Sequence, residues 1–168
     1  IKEAIAFGFH EIQLDYIRYP AVSGKICDFT GTNISFDKRK EIIYNFCRKA
    51  KKITEENNIK LSIDIFGVTA WNREEDTKKI GQDITILGKE IDIICPMFYP
   101  SHFYQFILDG NEASENPELL LEIGCNKIKS LLPDSTNVII RPWLQSFTYR
   151  VPNFNYFYIL KQIFGCLN

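Results

Sequence analysis

The stretch Ile91-Asp92-Ile93-Ile94-Cys95-Pro96-Met97-Phe98-Tyr99-Pro100 is nearly continuous in apolar residues. A strand with one face in water alternates polar and apolar positions. A run this uniform suits a strand covered on both faces, as parallel sheets require. Three other stretches read as strands. Glu11–Tyr19 alternates Ile12, Leu14 and Tyr16 with Gln13, Asp15 and Ile17, and Pro20 closes it because proline cannot continue a ladder. Leu61–Gly67 and Asn137–Trp143 are the other two.

Helical periodicity fills the intervals. Ser35 is a good N-cap and Asp37 suits the first turn of a helix predicted over Phe36–Glu56, with Ile42, Ile43, Phe46, Ala50 and Ile53 at helical spacing. Ile80, Ile84, Leu87 and Ile91 mark a second helix. Pro117 opens a third, carrying Leu120, Ile123, Ile128, Leu131 and Leu132, and Pro133 ends it. A last helix is predicted from about Asn155 to Phe164, stopping at Gly165, and Ile1–Phe7 reads as a helix tail stopped by Gly8. Strict strand–helix alternation means a parallel sheet with right-handed crossovers. No glycine-rich turn follows any strand, so the phosphate cradle of a nucleotide fold is missing. The expectation is therefore an α/β fold with a (β/α) barrel of TIM type, and a doubly wound open sheet comes second. Such a barrel takes about 250 residues. Residues 1–168 are expected to be a partial barrel of about four βα units, lacking N-terminal strands and the last strand, poorly stable and inactive alone.

Composition excludes several functions. A net charge of −1 is no footprint for nucleic acid, and the basic stretches Lys38–Lys40 and Arg48–Lys52 read as a solvated helix face. No stretch approaches the roughly 20 apolar residues of a membrane span. The five cysteines are odd in number and form no ligand spacing, which argues against a zinc site or a disulfide framework. Cys95 reads as a small buried hydrophobe. With His10 and His102 the only histidines, no metal is expected. Ile1–Phe7 is not expected to be a signal peptide. Ala21–Asn33 is long for a strand–helix loop, and such loops are often functional. Asn33-Ile34-Ser35 fits a glycosylation triplet, a pattern too frequent to carry weight.

Each strand delivers polar or aromatic groups near its C-terminal end. The first gives Asp15, Tyr16 and Arg18, and the second gives Asp64, with Trp71 in the loop beyond. The third gives Met97, Tyr99 and His102, and the fourth gives Arg141, Trp143 and Gln145. In parallel α/β folds that end hosts the active site. Singly these residues have plain explanations: an Asp15–Arg18 ion pair, a surface pairing for Arg141, rim packing for Tyr99 and Trp143, a loop position for His102. Their coincidence at all four strand ends favours a site. Paired carboxylates among aromatic, amide and guanidinium groups suit glycosidic bond cleavage, in which one carboxyl stabilises or traps the oxocarbenium-like centre and the other protonates the leaving oxygen. The sequence leaves open whether Asp15 and Asp64 share one face of the sheet.

The segments EIQLDYIRYP, SIDIFG, IGQDI, IDIICPMFYPSHF and VIIRPWLQSF resemble the family of bacterial domains called putative glycosyl hydrolase domain, over about Gly8 to Phe147. That family is related to α-amylase-type catalytic barrels. The resemblance implies a TIM-barrel glycosidase in which the visible strands are the fourth to seventh. Asp15 then stands in the place of the nucleophile and Asp64 near that of the general acid. Two positions depart from the amylase pattern. Gln13 replaces an arginine two residues before the nucleophile, and Arg141, Trp143 and Gln145 occupy the region of a seventh-strand aspartate. Asp64 is also shorter than the usual glutamate. The expected activity is a retaining glycoside hydrolase acting on an oligo- or polysaccharide, with Asp15 and Asp64 catalytic and no cofactor. Tyr16, Arg18, Trp71, Tyr99, His102, Arg141, Trp143 and Gln145 are expected to bind the carbohydrate. The alternative is a non-catalytic carbohydrate-binding barrel. Metal-assisted deacylation is a weaker third, because such sites usually want more His and Asp ligands. Family members tend to be exported or envelope-associated, which is the expectation for this chain.

Overall fold

A computed structural model describes residues 1–21 and 34–167. The expected functional loop, but for Ala21, and the Asn33 of the glycosylation triplet lie outside the described residues. A short helix α1 (Lys2–Ala6) leads through Gly8, at φ +85°, into strand β1 (Glu11–Leu14). Helix α2 (Phe36–Glu55) starts at Ser35, whose hydroxyl accepts the Lys38 N–H at 3.3 Å, and it buries Ile43, Cys47 and Ala50. Strand β2 (Lys60–Phe66) follows, then a 3₁₀ turn over Gly67–Trp71. The second predicted helix is in fact two, α3 (Glu74–Ile80) and α4 (Ile84–Leu87). Gly81 ends the first in a left-handed conformation, and the Asp83 carboxylate caps the second by accepting the Thr85 N–H.

Strand β3 (Ile93–Phe98) is the apolar run, and helix α5 (Pro117–Leu131) begins at its proline. The predicted fourth strand is split into β4 (Ile139–Ile140) and β5 (Trp143–Leu144). Pro142 lies in the gap, where it has no N–H to give to the ladder. Helix α6 (Tyr156–Leu167) runs through Gly165 instead of stopping there. A Cβ at Gly165 would stand 2.2 Å from the Glu118 carbonyl oxygen, so glycine serves a close approach of α6 to α5. Among the described residues no helix is long and apolar enough to cross a membrane.

All strand pairs are parallel, in the order β1–β2–β3–β4 with β5 also on β3, and the sheet is curled into a half-barrel. Its outer face is the core. Leu61, Ile63, Ile65, Ile94 and Phe98 are fully buried there, against residues of α2 and α5. The inner face is polar. Register places Gln13 beside Ser62, Asp64 beside Cys95, and Met97 beside Trp143, all on that face. The curl is visible in one contact: Arg141, just past β4, makes a two-pronged ion pair with Glu11 of β1, across the intervening β2 and β3. Ser62 of β2 lies under that bridge and donates to Glu11 at 2.6 Å.

Helix α5 meets the sheet without room to spare. A Cβ on Gly124 would lie 2.5 Å from the buried Phe98 ring. Gly124→Ala should therefore destabilise the protein by about 1–3 kcal/mol through overpacking, despite the better helix propensity of alanine. Urea unfolding measures it, and a midpoint equal to or above wild type would contradict the packing argument.

Candidate active site

Asp64 is the centre of the inner face. It is 6% exposed, and its Oδ1 accepts two hydrogen bonds, from Gln13 Nε2 at 2.6 Å and Trp143 Nε1 at 3.0 Å. Among the described residues no protein donor reaches Oδ2. Burial pushes the Asp64 carboxyl above its ordinary value. The Trp143 and Gln13 bonds act against that shift, the charge of Asp15 adds to it, and Arg141 opposes it weakly.

The backbone under Asp64 is held by a side chain that the sequence did not single out. β1 ends at Leu14, opposite Ile63, so among the described residues the next edge groups of β2 have no strand beside them. Gln82 takes the strand's place. Its buried amide donates to the Asp64 carbonyl at 3.0 Å and accepts the Phe66 N–H at 3.0 Å, as a neighbouring peptide would. It also donates to the Ile17 carbonyl at 3.4 Å, tying down the chain that leaves β1. Gln82 sits between α3 and α4, and the break at Gly81 is what turns it inward.

With Gln82 closing the edge, the chain at Asp15 is free to turn. Tyr16 adopts φ +53°, and its N–H bonds the Asp15 carboxylate at 2.7 Å. Asp15 lies one residue past the last ladder pair, Leu14–Ile63, and its charge reaches Asp64. Asp15 is exposed and, among the described residues, makes no ion pair. Arg18 is turned elsewhere: it donates to the Tyr19 carbonyl and lies 4.2 Å from the Phe66 ring centre and 5.2 Å from that of Tyr16. An Asp15–Arg18 salt bridge does not form.

Tyr99 stands near both carboxylates. Burial raises its phenol, and the charges of Asp64 and Asp15 raise it further. Its ring meets Phe147 at 5.6 Å and His102 at 5.8 Å, edge to face, and Tyr149 lies 5.9 Å beyond His102. Tyr99 and His102, with Phe66, Gly67, Val68, Met97 and Phe103, line a pocket of about 330 Å³ at the strand ends. Asp15, Tyr16, Asp64, Tyr99, His102 and Trp143 are thus grouped about the C-terminal end of the sheet, and Arg18 borders it.

Three expected substrate contacts are placed otherwise. Trp71 turns to the helix side, packing on Phe98 and Phe103 with Lys127 of α5 above its ring, and its indole N–H donates to the Ile107 carbonyl. Gln145 is fully buried. Its amide accepts from Ser101 N–H and donates to the carbonyls of Phe147 and Tyr149, so it organises the loops and not the cleft. Arg141 is engaged with Glu11, and that bond holds the Glu11 carboxyl below its ordinary value. Glu11 and Gln13 were legible in principle, since they share the parity of Asp15 on one strand. Gln82 had no such signal. Among the described residues, no three His, Cys, Asp or Glu side chains stand together as a ligand set.

A buried carboxyl with a raised folded pKa binds its proton more tightly in the folded protein than in the unfolded chain. Stability then falls as pH rises from the ordinary carboxylate value through the raised one. Asp64→Asn keeps an oxygen to accept from Gln13 and Trp143 and removes the charge. It should unfold at a higher temperature than wild type at neutral pH, with the gain fading as pH drops toward 4. Thermal melts across pH decide this; a variant less stable than wild type at pH 7 would contradict it.

A family model described as "Putative glycosyl hydrolase domain" matches residues 1–166. No curated protein matches, and no solved structure matches.

Proposed function

The chain belongs to the putative glycosyl hydrolase domain family, and from that premise we propose that it is a retaining glycoside hydrolase of an oligo- or polysaccharide. Asp64 is its acid/base and Asp15 its nucleophile, on a barrel of TIM type related to the α-amylase-type domains. The observation that carries this is the unequal pair of carboxyls on one face. One is buried with its proton affinity raised; the other is exposed and, among the described residues, unpaired by any cation. A carboxyl with raised proton affinity beside an exposed one suits the acid and the nucleophile of glycosidic cleavage.

In this reading Asp64, protonated on Oδ2, gives its proton to the leaving glycosidic oxygen. Asp15 attacks the anomeric carbon and forms a glycosyl ester. Asp64, now a carboxylate, takes a proton from the water that releases the sugar, and both groups return to their starting states. Gln13 fits this role better than an arginine would. A neutral amide orients Asp64 without the positive charge that would hold its proton affinity down. Tyr99, Tyr16, Trp143 and His102 offer ring faces and polar tips to the sugar, with Arg18 beside them.

The engagement of Arg141 by Glu11, where an amylase-type enzyme has a further acid, favours the second reading: a barrel that binds carbohydrate without cleaving it. Variants separate the two. With a panel of oligosaccharides and aryl glycosides, Asp15→Asn and Asp64→Asn should each lower turnover about 10²–10⁴-fold while binding persists. Activated aryl glycosides, whose leaving groups need no proton, should restore the first step in Asp64→Asn, read as a rapid burst of about one released phenol per protein molecule, and leave Asp15→Asn without a burst. Turnover unchanged in both variants would refute the roles, and binding without hydrolysis in wild type would establish the second reading.

A further inference from the structure

The contact between α5 and α6 carries chemistry that the candidate active site does not use. At Gly165 the helix backbones touch: a Cβ there would lie 2.2 Å from the Glu118 carbonyl oxygen and 2.9 Å from Leu121 Cβ. One residue along α6 is Cys166, and one turn along α5 from Leu121 is Cys125. Both residues thus border the contact, and each thiol perturbs the proton affinity of the other. Cys166 also donates to the Gln162 carbonyl oxygen at 3.2 Å. A disulfide needs Cα atoms within roughly 4.4–6.8 Å, and helices in backbone contact meet that demand where ordinarily spaced helices often do not. Both thiols are half-buried, whereas Cys47 is buried in the core and Cys95 is buried on the inner face of the sheet.

We propose that Cys125 and Cys166 form a disulfide site, closed by exchange with a small-molecule disulfide and stapling α5 to α6. Cys166, in the last turn of α6, is the attacking partner. Its thiolate displaces one thiol from the reagent disulfide and forms a mixed disulfide. Cys125 then loses its proton to solvent, attacks the Cys166 sulfur and expels the second reagent thiol. Two protein thiols are oxidised, and one reagent disulfide is reduced to two thiols. The bond would enclose β4 and β5, with Arg141 and Trp143, in a covalent loop. It does not depend on the proposed hydrolase activity.

The test is to incubate the folded protein with oxidised glutathione, alkylate the remaining thiols and map tryptic peptides by mass spectrometry. Lys127 and Lys161 separate the two cysteines into different peptides. The expected result is a Cys125–Cys166 linked pair, two of the five thiols lost, and an unfolding temperature that rises on oxidation and returns with dithiothreitol. Cys125→Ser and Cys166→Ser should each abolish the rise. Free thiols at both positions, glutathione adducts that never resolve, or pairing of either residue with Cys27 would overturn the proposal.

Discussion

A carboxylate on the inner face of a sheet is the constraint around which this molecule is arranged. Asp64 is nearly shut off from water, and a buried carboxyl without donors costs several kcal/mol. Its donors come from the strands on either side, Gln13 of β1 and Trp143 of β5, meeting on one oxygen. Bonds that converge on the middle of a sheet from both flanks favour curling it. The Arg141–Glu11 bridge, with Ser62 beneath, repeats the device one layer lower. The outer face needs no such devices. It is an aliphatic layer of Leu61, Ile63, Ile65 and Ile94 against helices, with Phe98 fitted to Gly124.

The short first strand and the buried Gln82 are two parts of one arrangement. Were β1 to continue beside β2, Asp15 would be fixed in the ladder. Because the Gln82 amide satisfies the edge of β2 instead, Asp15 lies on a turn with its carboxylate toward solvent while Asp64 stays enclosed. The difference between the two carboxyls, on which the proposed chemistry rests, thus follows from where a strand ends.

Much of this fold is written in hydrophobic pattern. The apolar run at Ile93–Phe98, the 3.6-residue stripes of α2 and α5, and the Ser35 and Pro117 starts all express burial or capping, and those are local in sequence. What the pattern could not show depends on partners far along the chain. The end of β1 depends on Gln82, and the split of the fourth strand is one proline acting at a single ladder position. Gly165 looks like a helix stop, yet its lack of a side chain serves packing on Glu118. Trp71 and Gln145 have the residue types of sugar contacts, but the turns that carry them face α5 and the loop interior. Cysteine spacing likewise said nothing of Cys125 and Cys166, which meet only when two helices touch.

Site-resolved titration tests most directly the claim that an enclosed carboxyl lies within reach of an open one's charge. In a ¹³C NMR pH titration, the Asp64 carboxyl should titrate above the ordinary aspartate value in the wild-type protein. It should move back toward that value in Asp15→Asn, where the neighbouring charge is gone. An Asp64 carboxyl that titrates at or below the ordinary value, and does not respond to the loss of Asp15, would contradict the account.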